Sequence, residues 1–298
     1  MTGTVFDIGY RSYAGAREGR RRGWLAVYKD GIRAALGLGR GPRAKVLPWL
    51  FIGVLTAIAL VMAIIAGAAE RMMGPGATER LDLPTHSDYY GIASIIVFVF
   101  AAIVGPELLC RDRREGTIQL YLVHPITSTD YLGARWAAMF SVLLAAAWLP
   151  QAILFLGLCG GDPSPATYFL AHWLDIPRFL LAGVVVVAYT VTIAMLTASF
   201  TTRRAYASVF LVGLFAITAP FTIGLAQELD GPVAQWISMF SLTDIPLHVN
   251  DAIFGKVSEM TEHAPARALG TAVLVGWYLA WTLIPATLLW SRYRRLAA

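Results

Sequence analysis

Six stretches of about 20 apolar residues constrain this chain more than any other feature. They lie at about 47–68, 89–109, 135–159, 178–200, 205–226 and 269–290. The hydrocarbon core of a bilayer takes roughly 20 apolar residues per helical crossing, so each stretch has the length of one span. The fourth and fifth are separated only by Thr201-Thr202-Arg203-Arg204, enough for a tight helical hairpin and no more. The run Leu180-Leu181-Ala182-Gly183-Val184-Val185-Val186-Val187-Ala188 does not alternate in polarity, which argues against the strands of a membrane β-barrel. Hydrophobic residues make up 57% of the chain and charged residues 14%. A soluble domain cannot cover its surface with so little charge, so lipid is the expected solvent. The first apolar run begins near Leu47, beyond the reach of a cleaved signal sequence, and is itself long enough to span.

The expected fold is therefore all-α and polytopic. Residues 1–46 form an N-terminal segment and residues 47–298 a six-helix transmembrane domain. Orientation follows from the basic residues, which favour the cytoplasmic side. With the N-terminus inside, the cytoplasmic segments hold 19 of the 24 Lys and Arg, counting Arg135 at a helix mouth, and the outer segments hold five. The acids divide the other way, twelve outside and seven inside. Both termini are thus expected in the cytoplasm, with the protein in the plasma membrane. The net charge of +5 suits an anionic inner leaflet and calls for no nucleic acid. Cys110 and Cys159 fall at opposite mouths of the bilayer, too far apart for a disulfide.

The spans lack the groups that chemistry needs. Between their mouths they contain no Asp, Glu, Lys, Arg or His. Ion-coupled carriers keep an ionisable group near mid-membrane, and membrane proteases or lipid-processing enzymes need acids, metal ligands or an activated nucleophile. No metal-ligand spacing is present, and no catalytic residue is expected. The polar groups inside the spans are mostly hydroxyls, with an amide at Gln151; they either bond to helices or line a route. No G-x-x-x-x-G-K-[ST] phosphate loop occurs. No cofactor is expected on this chain.

Two flanking regions carry pattern. Residues 24–38 read as an amphipathic helix, with Trp24, Val27, Tyr28, Ile32 and Leu36 on or beside one apolar stripe and Lys29, Asp30 and Arg33 opposite. Such a helix is expected to lie in the membrane interface; the alternative is packing on protein. Gly37, Gly39, Gly41 and Pro42 end it. Residues 233–254 are too apolar for a free loop and are expected to form short outer helices between spans five and six.

The segment between spans two and three is the most informative. Glu107 precedes the charged cluster Arg111-Asp112-Arg113-Arg114-Glu115, then come Gly116-Thr117, a leucine-rich run, His124-Pro125, and Thr127-Ser128-Thr129-Asp130, a good start for the next helix. It reads as a short helix–turn element at the membrane surface. Asp112, Gly116-Thr117, Leu120, Leu122, Pro125, Ser128 and Gly133 resemble, in order, the pattern of the type-2 permease family of ATP-binding cassette (ABC) transporters, mostly exporters. Arg135 departs slightly, since the family usually has Lys directly after the Gly. The resemblance implies a permease that forms the translocation pathway with a second copy, a homodimer rather than a heterodimer. It also implies a separate cytoplasmic ATPase that binds ATP and Mg. Residues Glu107, Arg111, Asp112, Arg113, Arg114, Glu115, Gly116, Thr117, His124 and Pro125 would then form the element that docks on the ATPase. The alternative from another class is a non-transporting scaffold or sensor that signals through the same loop.

Overall fold

A computed structural model describes residues 19–74, 76–122, 126–229, 231–256 and 269–296. His124 and Pro125 of the expected docking element lie outside the described residues. The helices run α1 (Gly19–Ala35), α2 (Pro42–Met73), α3 (Ala77–Arg80), α4 (His86–Arg114), α5 (Thr117–Leu122) and α6 (Ser128–Gly161). They continue with α7 (Pro165–His172), α8 (Asp175–Ser199), α9 (Arg204–Gln227), α10 (Pro232–Ser238), α11 (Ile245–Phe254) and α12 (Thr271–Leu296). No strand occurs among the described residues. Six helices, α2, α4, α6, α8, α9 and α12, are long and apolar enough to cross a membrane, and the protein is an all-α, polytopic membrane protein.

Burial divides the six into two groups. Most of the apolar stretch of α4, α6 and α8 is buried, whereas α2, α9 and α12 leave most of theirs uncovered. Thus α4, α6 and α8 form the core, α2 lies along α6, α12 along α8, and α9 against α4. In lipid the approach of helices depends on side-chain size more than on hydrophobicity, and the α2–α6 seam follows that rule. A Cβ at Gly157 would come within 2.5 Å of the Ala63 Cβ, and one at Gly161 within 2.5 Å of the Gly67 Cα. Small residues four apart on both helices thus let the two backbones meet.

Most hydroxyls inside the spans turn back on their own helices. Thr56 donates to the Ile52 carbonyl, Thr190 to Val186, Thr192 to Ala188 and Thr282 to Tyr278. The buried amide of Gln151 instead reaches across: its nitrogen donates to the His86 carbonyl at 2.9 Å and its oxygen lies 2.6 Å from His86 Nδ1. That pair ties the start of α4 to the middle of α6.

Helix α1 starts earlier and ends earlier than its periodicity predicts. The chain leaves it through Gly37 at φ +66°, where a Cβ would sit 2.2 Å from the Ala44 carbonyl oxygen, so no other residue fits the turn. Pro42 then opens α2 at its first position. The apolar stripe expected to rest in the membrane interface rests on protein instead. Val27 is buried, and Trp24, Tyr28, Ile32 and Leu36 pack half-buried against the core. The reason is a complementary surface: Gly31 lies over Ala138 of α6, and the Tyr28 hydroxyl meets Ser141 Oγ at 2.9 Å.

Residues 233–254 fall within two short helices and their connection, as their apolar content predicts. Helix α10 packs on α9, and α11 packs on α8, α12 and α4. The Trp277 indole donates to the Met239 carbonyl at 2.7 Å and Asn250 to the Ser87 carbonyl at 3.3 Å.

Candidate functional site

The C-terminal end of α4, the start of α6, the α8–α9 turn and the end of α12 meet at the end of the bundle that carries α1. The charged segment emerges here. Helix α6 starts on a capping box, Thr127 with Asp130, as the sequence of its first turn predicts: Thr127 Oγ1 accepts from the Asp130 amide at 3.2 Å, and Asp130 accepts from the Thr127 amide at 3.0 Å. Arg20 of α1 adds two hydrogen bonds of 2.7 Å to the same carboxylate.

At the centre lies Arg135, 2% exposed. Its Nη2 donates to Asp112 Oδ2 at 2.6 Å and its Nη1 to Asp30 Oδ2 at 2.9 Å. The Tyr131 hydroxyl donates to the same Asp112 oxygen at 2.6 Å. The guanidinium lies 5.6 Å from the Tyr131 ring centre and 6.0 Å from that of Tyr121. One side chain therefore joins α1, α4, α5 and α6. A charge this deeply buried persists only if paired and hydrogen-bonded, and Asp112 supplies both conditions.

A second carboxylate is likewise engaged. Glu107 accepts from Arg40, in the turn between α1 and α2, and from Arg204 at 2.8 Å, at the start of α9. Arg113 turns under the bundle to the carbonyl of Ser199, which also accepts from Arg292 Nε at 2.9 Å. The carbonyls at the end of α8 lack helical partners and carry partial negative charge, so two arginines satisfy and neutralise that terminus.

The charged residues of the expected docking element thus separate into two sets. Glu107, Asp112 and Arg113 are engaged in contacts between helices, although Glu107 also lines the open recess beside the other set. Arg111, Arg114 and Glu115 face outward, paired loosely at 3.3 Å between Arg111 and Glu115 and 3.6 Å between Arg114 and Glu115. They border an open polar recess of about 350 Å³ that Arg40, Glu107 and Arg204 also line. Gly116 has φ +69° with open space around it, so its role is the backbone turn rather than a close approach. Thr117 Oγ1 donates to the Asp112 carbonyl at 3.2 Å and fixes the first turn of α5 to the end of α4.

Asp30, Arg40, Tyr131, Arg135 and Arg204 belong to this site and were not singled out from sequence. The signal for Arg135 was present: an arginine leading into a long apolar stretch must find a partner. Its partners lie 105 and 23 residues away, and nothing in the sequence names them.

Among the described residues no group of His, Cys, Asp and Glu has the geometry to hold a metal ion. The arrangement presents a small surface fastened to α1, α4 and α6. The family model described as ABC-2 family transporter protein matches residues 53–296, more than four-fifths of the chain. No curated protein matches it.

Proposed function

The chain belongs to the ABC-2 transporter family, and from that premise we propose that it is the permease of an exporter driven by a separate cytoplasmic ATPase, with its docking surface on the α4–α5 corner. The family supplies a membrane permease, itself non-catalytic. The observation that carries the finer reading is the division of charge at that corner. Arg111, Arg114 and Glu115 point away from the bundle, while Asp112, on the same turn of α4, is fastened through Arg135 to α1 and α6. A push delivered to the outward set passes into packed helices, since interiors this dense transmit displacement instead of absorbing it. The α8–α9 turn, of four residues, offers a partner far less surface.

In this reading two copies of the chain form the pathway, as a homodimer in the plasma membrane. Both termini lie in the cytoplasm, and ATP and Mg bind to the ATPase, not to this chain. Affinity purification from the native membrane in mild detergent tests it: a cassette ATPase should co-purify with the wild type and be reduced at least tenfold by Glu115→Lys combined with Arg114→Glu. Intact recovery of the ATPase with that variant would move the docking surface elsewhere, and absence of any ATPase from the wild type would remove the reading.

A further inference from the structure

A cavity of about 340 Å³ opens between α4, α9 and the connection from α10 to α11. Its walls run from Gly91 to Val99 on α4 and from Val212 to Pro220 on α9, so it is a slot on the order of 12 Å long at 1.5 Å rise per residue. The stacked rings of Phe98 and Phe215, 4.5 Å apart, form part of the wall. Its polar side chains are Ser94 and Thr243, both hydroxyls, and Asp244, the one ionisable residue that lines it.

Among the described residues Asp244 is held by hydroxyls alone. It stands at the N-cap of α11, where a carboxylate ordinarily accepts from the helix amides, but its side chain makes no cap bond. It accepts from the Ser241 and Thr243 hydroxyls instead. Among the described residues no Lys, Arg or His pairs with it, in contrast to Glu107, Asp112 and Asp88. Burial pushes its carboxyl above the ordinary aspartate range, against the two hydroxyls, which pull it down. A lone carboxylate in apolar surroundings is costly unless a counter-charge arrives, and the slot has the volume of a small-ligand site.

We infer that this slot binds a lipophilic monocation, with its apolar part between α4 and α9 and its positive head on Asp244. The charge complements the one acid in the slot, and the slot is lined by apolar side chains along its length. Calling this ligand a cargo rests on the permease reading; its binding does not.

The experiment is equilibrium photolabelling of the full chain in phosphatidylcholine nanodiscs, with neither ATPase nor nucleotide present. The probe is dodecyltrimethylammonium carrying a diazirine in its chain, and the sites are mapped by mass spectrometry. Saturable labelling is expected on the α4 and α9 peptides that wall the slot. Unlabelled dodecyltrimethylammonium should compete at least tenfold better than its uncharged tert-butyl isostere. Asp244→Asn should abolish that preference, Asp244→Glu should keep it, and Ala216→Trp, which fills the slot, should remove labelling altogether. Equal competition by the isostere, an undiminished preference in Asp244→Asn, or labelling that does not saturate would each overturn the inference and leave the slot to lipid chains. Because no ATPase takes part, any of those results leaves the permease reading standing, and loss of the ATPase partner leaves the binding result standing.

Discussion

Replacing Arg135 with Met tests whether one guanidinium holds the α1 end of the bundle together. The change keeps an unbranched side chain in the helix and deletes the charge. Asp112 then stays buried with the Tyr131 hydroxyl but without a cation. Removing one member of a buried pair typically costs about 3–5 kcal/mol, because the remaining charge is uncompensated. The Asp30 contact adds little, since its side chain is 58% exposed and an exposed pair is worth up to about 1 kcal/mol. The expected loss is therefore about 3–5 kcal/mol, nearly all of it through Asp112. Two further variants separate the causes. Tyr131→Phe removes a hydrogen bond to a charged acceptor and should cost about 1.5–3 kcal/mol. Asp112→Leu in the Arg135→Met background removes the orphaned charge and should restore most of the loss, since buried pairs exchanged for apolar residues are often neutral.

Equilibrium unfolding in mixed detergent micelles, followed by the fluorescence of the nine tryptophans, gives these differences, and the four variants of the Arg135–Asp112 cycle give the coupling. A coupling of about 3 kcal/mol is expected, the upper end for residues in contact. Arg135→Lys should fall between wild type and Met, because an ammonium cannot span Asp30 and Asp112 as the fork of a guanidinium does. If Arg135→Met costs under about 1 kcal/mol, or if the double variant is as unstable as Arg135→Met alone, the pair does not hold these helices.

Three other outcomes are expected. Cysteine placed at Thr78 or Glu262 should react with an impermeant thiol reagent added to intact cells while one at Ser12 should not; the reverse pattern would invert the topology and remove the docking surface with it. Glu115→Lys, or Gly116→Val at its left-handed turn, should insert normally yet weaken ATPase association or uncouple hydrolysis from transport in reconstituted vesicles, a desolvated charge pair being worth about 2–5 kcal/mol; wild-type coupling in both, with loss in Arg295→Glu, would place the contact at the C-terminal helix. Gly157→Leu should destabilise by about 1–3 kcal/mol through overpacking against Ala63, whereas Gly160→Ala, with open space at its Cβ, should stay within about 0.5 kcal/mol; equal effects would mean that α2 and α6 do not meet on this seam.

The spans were legible because their signal is one-dimensional. A membrane helix satisfies its own backbone, so about 20 apolar residues suffice to announce it. The start of α6 was legible for the same reason, since Thr127 and Asp130 cap a helix through neighbours three residues apart. The side on which α1 rests was not. Trp24, Val27, Tyr28, Ile32 and Leu36 form a stripe equally fit for lipid headgroups or for protein. What decides between them is Gly31 over Ala138 and Tyr28 beside Ser141, and those contacts join positions more than 100 residues apart.

The charges show the same limit more sharply. As a string, Arg111 to Glu115 is a uniform polar cluster, but as the end of a helix it has two sides. Asp112 falls on the side of α6 and meets Arg135, while Arg111 and Glu115 pair at i and i+4 on the open side. The sequence count treats every basic residue near a mouth as an orientation signal. The geometry divides them into those that stand exposed and those that fasten helices from buried or half-buried positions. Arg113, Arg135 and Arg292 reach a carboxylate or the carbonyls that end α8, while Arg204 pairs with Glu107 from an exposed position. Arg111 and Arg114 are left to face whatever lies beyond the membrane surface. The coupling element proposed above uses both kinds: inward charges anchor its base, and outward charges give a partner something to hold. Both kinds occur within the four residues 111–114, so a displacement imposed on the outward side chains passes through less than one helical turn before it reaches the Asp112–Arg135 pair.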